Sequence, residues 1–269
     1  MTTPARPFFS IIVSTLNACE HLQECLDSVY RQTVRSWEII VIDGGSRDGT
    51  LEIIKNNAAR LKYWVSEPDR GVYDAWNKAI PHVNGRWVMF LGADDALWED
   101  AVFEKAVSPL SDLDCHIAYG RVALISAKGD LMRYEGEEWS CIAQRFRREM
   151  CIPHQGVFHR SDIFQQKSFD TSYRYAGDYA LLLGEVLQRP PYFLDLCVST
   201  WRQGGLTSSA RHSISVLREF RRARVRVGLR GRGPLFTETK AWGKYVMERL
   251  LGAKSAEALL AIYRKLRRS

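Results

Sequence analysis

The sequence predicts an α/β fold, a mostly parallel sheet flanked by helices, followed by a basic helical extension. Three observations predict it. Between Phe8 and Gly92, short β-rich runs alternate with amphipathic helical segments, the pattern of βαβ units around a parallel sheet. The four runs are nearly unbroken in hydrophobicity, as strands buried on both faces are. Beyond Ser209 the composition shifts to arginine-rich helical periodicity, which divides the chain into residues 1–209 and 210–269.

The four strands fall at residues 9–14, 38–42, 63–66 and 87–91, rich in Ile, Val and aromatic side chains. After the first, Leu22, Leu26, Val29 and Tyr30 make one helical stripe. A second helix begins with Leu51, Ile53 and Ile54 behind Asp48 as N-cap. A third starts near Val72 and ends or kinks just before Pro81, where the proline ring disfavours a helical predecessor. Next come a hairpin over residues 117–134 turning at Lys128-Gly129-Asp130, and helices near residues 141–148 and 177–188. In the extension, Trp242, Tyr245, Val246 and Leu250 form one stripe, and Leu259, Ile262, Tyr263 and Leu266 another.

With 269 residues, 46% of them hydrophobic and 26% charged, the chain can bury a sizeable core and is not a disordered polymer. Six cysteines without a C-x-x-C pair argue against a zinc knuckle or redox motif and fit reduced thiols in the cytoplasm. No apolar run approaches the roughly 18 residues of a membrane span. The stretch from Phe8 to Cys19 imitates a lipoprotein signal, but Ser10, Ser14 and Thr15 interrupt it and helical periodicity follows at once. The net charge of +7 is concentrated C-terminally, with seven arginines against one acid, Glu219, between Arg218 and Arg232. That segment fits a solvated helix face, a nucleic-acid patch or, given its amphipathic flanks, an anionic membrane surface on the inner face of the plasma membrane.

Ligands of open α/β sheets bind beyond the carboxyl ends of the strands. Each such position here is polar: Thr15-Leu16-Asn17, Asp43-Gly44-Gly45-Ser46, Glu67-Pro68-Asp69-Arg70-Gly71 and Gly92-Ala93-Asp94-Asp95. Singly these read as turns, ion pairs or caps. Together they converge on one crevice. Carboxylates repel an anionic ligand whereas Arg70 and Lys78 favour one, and a divalent cation between them resolves the conflict. Oxygen ligands without a nearby Cys or His pair suit Mg²⁺ or Mn²⁺ rather than zinc.

These residues resemble the glycosyltransferase family 2 enzymes with the GT-A fold. The opening SIIVSTLN, the string IDGGSRDGT at residues 42–50 and SEPDRGVYDAWNKAI at 66–80 look like that family's donor-binding segments. The resemblance implies a Rossmann-like sheet in which Thr15, Asn17, Asp43 and Asp69 hold the nucleoside, with Arg70 and Lys78 binding donor or supporting the fold. It implies that Asp95 ligates the cation and Asp94 contacts ribose or sugar; Gly92 replaces the acid that many members carry ahead of the pair. Pro153-His154-Gln155-Gly156 resembles a segment lining the donor-sugar pocket. Asp178, which reads as a helix cap by itself, stands where the family keeps its general base, in preference to Asp170. Gly204-Gly205-Leu206-Thr207 resembles a glycine loop near the diphosphate, with Thr207 in place of a serine.

The implied reaction is inverting transfer from a nucleotide diphosphate sugar, a UDP-hexose or UDP-N-acetylhexosamine, to an acceptor hydroxyl. The acceptor it points to is a lipid-linked glycan of bacterial surface polysaccharide, with no nucleic-acid partner. Two other readings stand beside it: a nucleotidyltransferase, although Thr15-Leu16-Asn17 lacks a glycine-rich triphosphate loop, and a non-catalytic Arg-rich RNA-binding module.

Overall fold

Residues 6–203 and 210–229 are described by a computed structural model. The first half follows the expected alternation: β1 (Phe9–Thr15), α1 (Leu22–Tyr30), β2 (Trp37–Asp43), α2 (Thr50–Asn57), β3 (Tyr63–Ser66), α3 (Val72–Ala79) and β4 (Trp87–Gly92). β1 pairs in parallel with both β2 and β4, and β2 with β3, so the carboxyl ends of these strands share one rim. The register sets Thr15 beside Asp43 and Ser14 beside Gly92.

Successive side chains of a strand point to opposite faces. Accordingly Ile11, Val13, Ile39, Val41, Met89 and Leu91 join Leu22, Leu26 and Val29 of α1 in one core. Ile12, Ile40, Ile42, Val88 and Phe90 join Tyr73, Trp76 and Ala79 of α3 in a second core on the other side. This two-sided burial is why the strands read as continuous apolar runs, and each such aliphatic side chain contributes roughly 1.5–3 kcal/mol.

Two local details refine the sequence reading. The N-cap of α2 is Gly49, at φ 101°, not Asp48. Asp48 acts from one residue further out, its Oδ1 accepting from Thr50 N at 3.1 Å. The third helix does stop at Ala79, ahead of a 3₁₀ turn, Ile80–His82, that contains Pro81.

The second half runs α4 (Val102–Ser111), β5 (Ile117–Ile125), β6 (Leu131–Glu135), α5 (Trp139–Phe146), β7 (Val157–Arg160), α6 (Ile163–Gln166), α7 (Gly177–Val186), β8 (Tyr192–Arg202) and α8 (Ala210–Arg226). The expected hairpin is β5–β6, closed by Ser126 N donating to Asp130 O at 2.8 Å with Gly129 at φ 91°. β7 lies between β4 and β5, antiparallel to both, and β8 runs parallel along β5. The sheet order is β3-β2-β1-β4-β7-β5-β6, with β8 joined at β5.

The sequence reading places neither α4 nor β7 nor β8. β7 is only four residues long, and α4 carries Pro109 inside it. In β8 the exposed Tyr192 and Asp195 interrupt the apolar pattern.

α8 packs on α7, with Ala223 buried and the Phe220 ring 4.7 Å from that of Tyr179. Arg230, Arg232 and the predicted stripes at 242–250 and 259–266 lie outside the described residues. All six cysteines are unpaired. Among the described residues no helix is long and apolar enough to cross a membrane.

Candidate active site

A cavity of about 540 Å³ opens beyond β4, walled by α3, the segment before β7, the start of α7 and, through Val216 and Phe220, α8. Asp94, Asp95, His154 and Asp178 all line it. These four residues, distant in sequence, thus meet at one cavity, whereas Thr15, Asn17, Asp43 and Asp69 are not among its lining residues.

Asp94 and Asp95 follow directly from β4, where the chain turns with Asp95 N donating to Gly92 O at 3.1 Å. A Cβ on Gly92 would lie 2.8 Å from Asp94 Oδ1 and 2.9 Å from Asp95 Oδ2. The absence of a side chain there leaves a small cradle faced by two carboxylates. It gives the departure from the family's acidic residue a physical role. Asp95 is 4% exposed, and burial, followed by the neighbouring Asp94 charge, pushes its carboxyl up to about 8. Arg202 N at 3.3 Å and the Gln155 side chain oppose that shift without abolishing it.

Crowded, poorly compensated carboxylates of this kind are what a hard divalent cation neutralises. Among the described residues no group of three or more His, Cys, Asp or Glu is arranged to hold a metal ion. The donor set fits Mg²⁺ or Mn²⁺ held by one or two carboxylates and completed by a ligand's phosphates.

Asp178 sits in the first turn of α7. Its Oδ1 accepts from Tyr73 Oη at 3.0 Å and from Tyr179 N at 2.8 Å. Burial pushes this carboxyl up to about 6, with those two hydrogen bonds acting against it. The close approach of α3 and α7 requires a glycine before it, since a Cβ on Gly177 would lie 2.8 Å from the Tyr73 ring. Asp170, the alternative base, is engaged by Ser172 and Arg226 instead.

His154 is 8% exposed and stacks on Trp76 at 5.0 Å, and its Nε2 has no partner within the protein. Burial lowers it to about 3, so the ring is neutral, and the residue lines the cavity with its Nε2 buried and unpaired.

The residues expected at the nucleoside lie over the ends of β1, β2 and β3, outside the lining of that cavity. Asp43 is fully buried; it accepts from Ser46 N at 3.0 Å, from the Ser46 hydroxyl and from Ser66 Oγ at 2.5 Å. Asn17, at φ 50°, accepts from Arg47 N at 2.9 Å through Oδ1. Asp69 accepts from Gly71 N at 2.8 Å, and its Oδ2 would lie 2.8 Å from a Cβ on Gly44, so that glycine lets the two loops meet. The Thr15 hydroxyl is buried without a partner.

Arg70 and Lys78 are tied to their own neighbourhood. Arg70 pairs with Asp74 at 2.9 Å on a mostly exposed side chain. Lys78 pairs with Glu67 at 2.8 Å and donates to Pro68 O at 3.0 Å. Thr207 and its glycine loop lie outside the described residues. Sequence reasoning misses Tyr73, Gln155 and Arg202. The first two stand inside quoted segments, whereas Arg202 carries no local signal.

Residues 10–171 match the model of glycosyl transferase family 2, and the chain belongs to that family. It is therefore a glycosyltransferase, which decides among the three readings the sequence left open. A "PGL/p-HBAD biosynthesis glycosyltransferase" of Mycobacterium tuberculosis H37Rv is 34% identical over 180 residues, 65% of this chain and 68% of the relative. The fold is GT-A, shared with TarS of S. aureus (TM-score 0.65, 16% identity, 92% of this chain) and with mannosyltransferase PcManGT of Pyrobaculum calidifontis. The chain spans 44% of the TarS chain, a shorter form of which was solved with UDP-GlcNAc. PcManGT, solved with GDP-Man and Mn²⁺, aligns at TM-score 0.66 and 18% identity over 99% of this chain and 82% of its own.

Proposed function

We propose that this glycosyltransferase is inverting and cation-dependent, moving a sugar from a nucleoside diphosphate donor to an acceptor hydroxyl. The observation that carries the reading is a single cavity lined by both the Asp94–Asp95 pair and Asp178.

Asp178 has a carboxyl raised to about 6, ionised at neutral pH yet basic enough to accept a proton. It removes the acceptor's hydroxyl proton as that oxygen bonds to the anomeric carbon. The bond from that carbon to the diphosphate breaks, and the electron pair leaves on the nucleoside diphosphate. One displacement gives an inverted anomeric centre. Asp95, with Asp94 beside it, would hold the divalent ion, which when bound stabilises negative charge on the departing diphosphate. Thr15, Asn17, Asp43 and Asp69 form the nucleoside end, where the Thr15 hydroxyl lacks a protein partner. His154 presents its neutral ring to the donor sugar.

The favoured donors are UDP-hexoses and UDP-N-acetylhexosamines, in keeping with the UDP-GlcNAc seen in TarS. GDP-mannose, seen in PcManGT, is the competing donor. A lipid-linked glycan intermediate is the favoured acceptor, consistent with the biosynthetic role in the name of the mycobacterial relative. A screen of nucleotide sugars for release of nucleoside diphosphate, with Mn²⁺ and with excess chelator, tests the proposal. Release from one donor class, abolished by chelator, is expected. Full turnover in chelator refutes the cation dependence.

A further inference from the structure

The basic segment contains one acid between Arg218 and Arg232, Glu219, and the fold gives that residue a specific place. Its Oε1 accepts from Arg174 N at 2.9 Å, and its Oε2 from Tyr175 N at 2.8 Å and Ala176 N at 2.9 Å. Three successive backbone N–H groups turned toward one point form a concavity that attracts an anion, and the positive end of a helix strengthens it. Here the anion is supplied by α8, directly before the turn of α7 that carries Asp178. Ala176, the N-cap residue, has no side chain to cap the helix itself.

The surrounding contacts hold α8 in register. Arg222 donates to Ser172 O at 3.2 Å and lies 3.9 Å over the Tyr173 ring. Arg226 pairs with Asp170, and the buried Arg224 donates to Arg148 O at 3.1 Å. Arg222 and Arg226 clamp α8 to the loop ahead of Asp178 and Arg224 ties it to the segment just after α5, while Val216 and Phe220 of the same helix line the cavity.

We propose that Glu219 is a positioning residue for transfer: by binding the backbone of residues 174–176 it fixes where α7 begins, and hence where the Asp178 carboxylate meets the acceptor hydroxyl. The inference rests on the reading of Asp178 as base. A carboxylate misplaced by about 1 Å loses on the order of a hundredfold in rate. Glu219 also acts on Asp178 through space, since its negative charge raises the Asp178 carboxyl.

The test compares Glu219→Gln, Glu219→Asp, Arg226→Ala and Asp178→Asn in the full chain, by kcat, donor KM and pH profile. The other titratable groups facing the cavity stay in place throughout: Tyr73 of α3, Arg174 before α7, and Asp94 and Asp95 after β4. So do Arg133 and Glu135 of β6, Cys151 and His154 before β7, and Tyr175 beside Arg174.

Glu219→Gln is expected to lower kcat by roughly ten- to a hundredfold. Donor KM is expected to stay unchanged and the acid limb to move to lower pH, because a charge that raises Asp178 is gone. Glu219→Asp keeps the charge and should recover part of the rate with the limb in place. Arg226→Ala loosens α8 without touching the carboxylate, and should lower the melting temperature with no shift of the limb.

A Glu219→Gln enzyme with wild-type kcat overturns the proposal. So does one whose loss merely follows unfolding while the limb stays fixed. If Asp178→Asn remains fully active, the base assignment itself fails, an outcome separable from inactive Asp178→Asn with unaffected Glu219→Gln.

Discussion

The two ends of the site differ in how their polar groups are satisfied. Over β1–β3, Asp43, Asn17 and Asp69 are held by hydroxyls and backbone amides of their own and neighbouring segments, leaving the Thr15 hydroxyl unpaired. Beyond β4 and at α7, Asp95 is buried and Asp178 half-buried, the hydrogen bonds they accept do not offset desolvation, and their carboxyls rise to about 8 and about 6. A satisfied network is already in position to receive a ligand. A frustrated one costs stability in the empty protein and is relieved only by a cation, a proton or a substrate. Under the proposed function, the contrast corresponds to recognition at the first end and chemistry at the second.

The strongest way to break that contrast is to remove the frustrated groups. Asp95→Ala and Asp178→Asn are each expected to lower transfer by about 10²–10⁴-fold, read as product formed per minute at saturating donor. Stability should move the other way for Asp178. Its folded carboxyl binds a proton more tightly than the unfolded one, so its contribution to stability falls as pH climbs from about 3.9 through about 6. Asp178→Asn should therefore melt no lower than wild type at pH 7; a large drop in melting temperature would assign the residue to the fold. For the wild-type enzyme, kcat/KM should fall as pH drops below about 6, and a flat profile there would remove Asp178 as base.

Gly92→Ala sharpens the comparison next. Its Cβ enters the cradle between Asp94 and Asp95, so cation-dependent turnover should fall by on the order of tenfold or more while the β1–β3 end still binds nucleoside diphosphate. The smallest effect is expected from Arg70→Ala. A solvent-exposed pair with Asp74 contributes little, so donor KM and melting temperature should barely change. A tenfold rise in KM would return Arg70 to the donor site.

Much of this was legible in the residues themselves. The alternating apolar runs specify β1 to β4 because both faces of those strands are buried, and parallel pairing sets their polar termini on one rim. The second half was less legible. β7 is too short to show a period, and β8 finds its place through pairing with β5 and with the segment Ala96–Trp98. Glu219 illustrates the deeper limit. In sequence it is a lone acid among arginines, and its meaning comes from a backbone concavity more than 40 positions away. Arg224 likewise reads as surface charge but is 7% exposed against Arg148.

The most direct test of the account is calorimetric titration of UDP and GDP into wild type, Asp95→Asn and Asp43→Asn, each with and without Mn²⁺. For wild type, tight binding of one nucleotide only when Mn²⁺ is present is predicted. Asp95→Asn should show the same weak affinity in both conditions, and Asp43→Asn should lose affinity in both. Equal, Mn²⁺-independent affinity in wild type and Asp95→Asn would contradict the division between a recognition end and a cation-dependent chemical end.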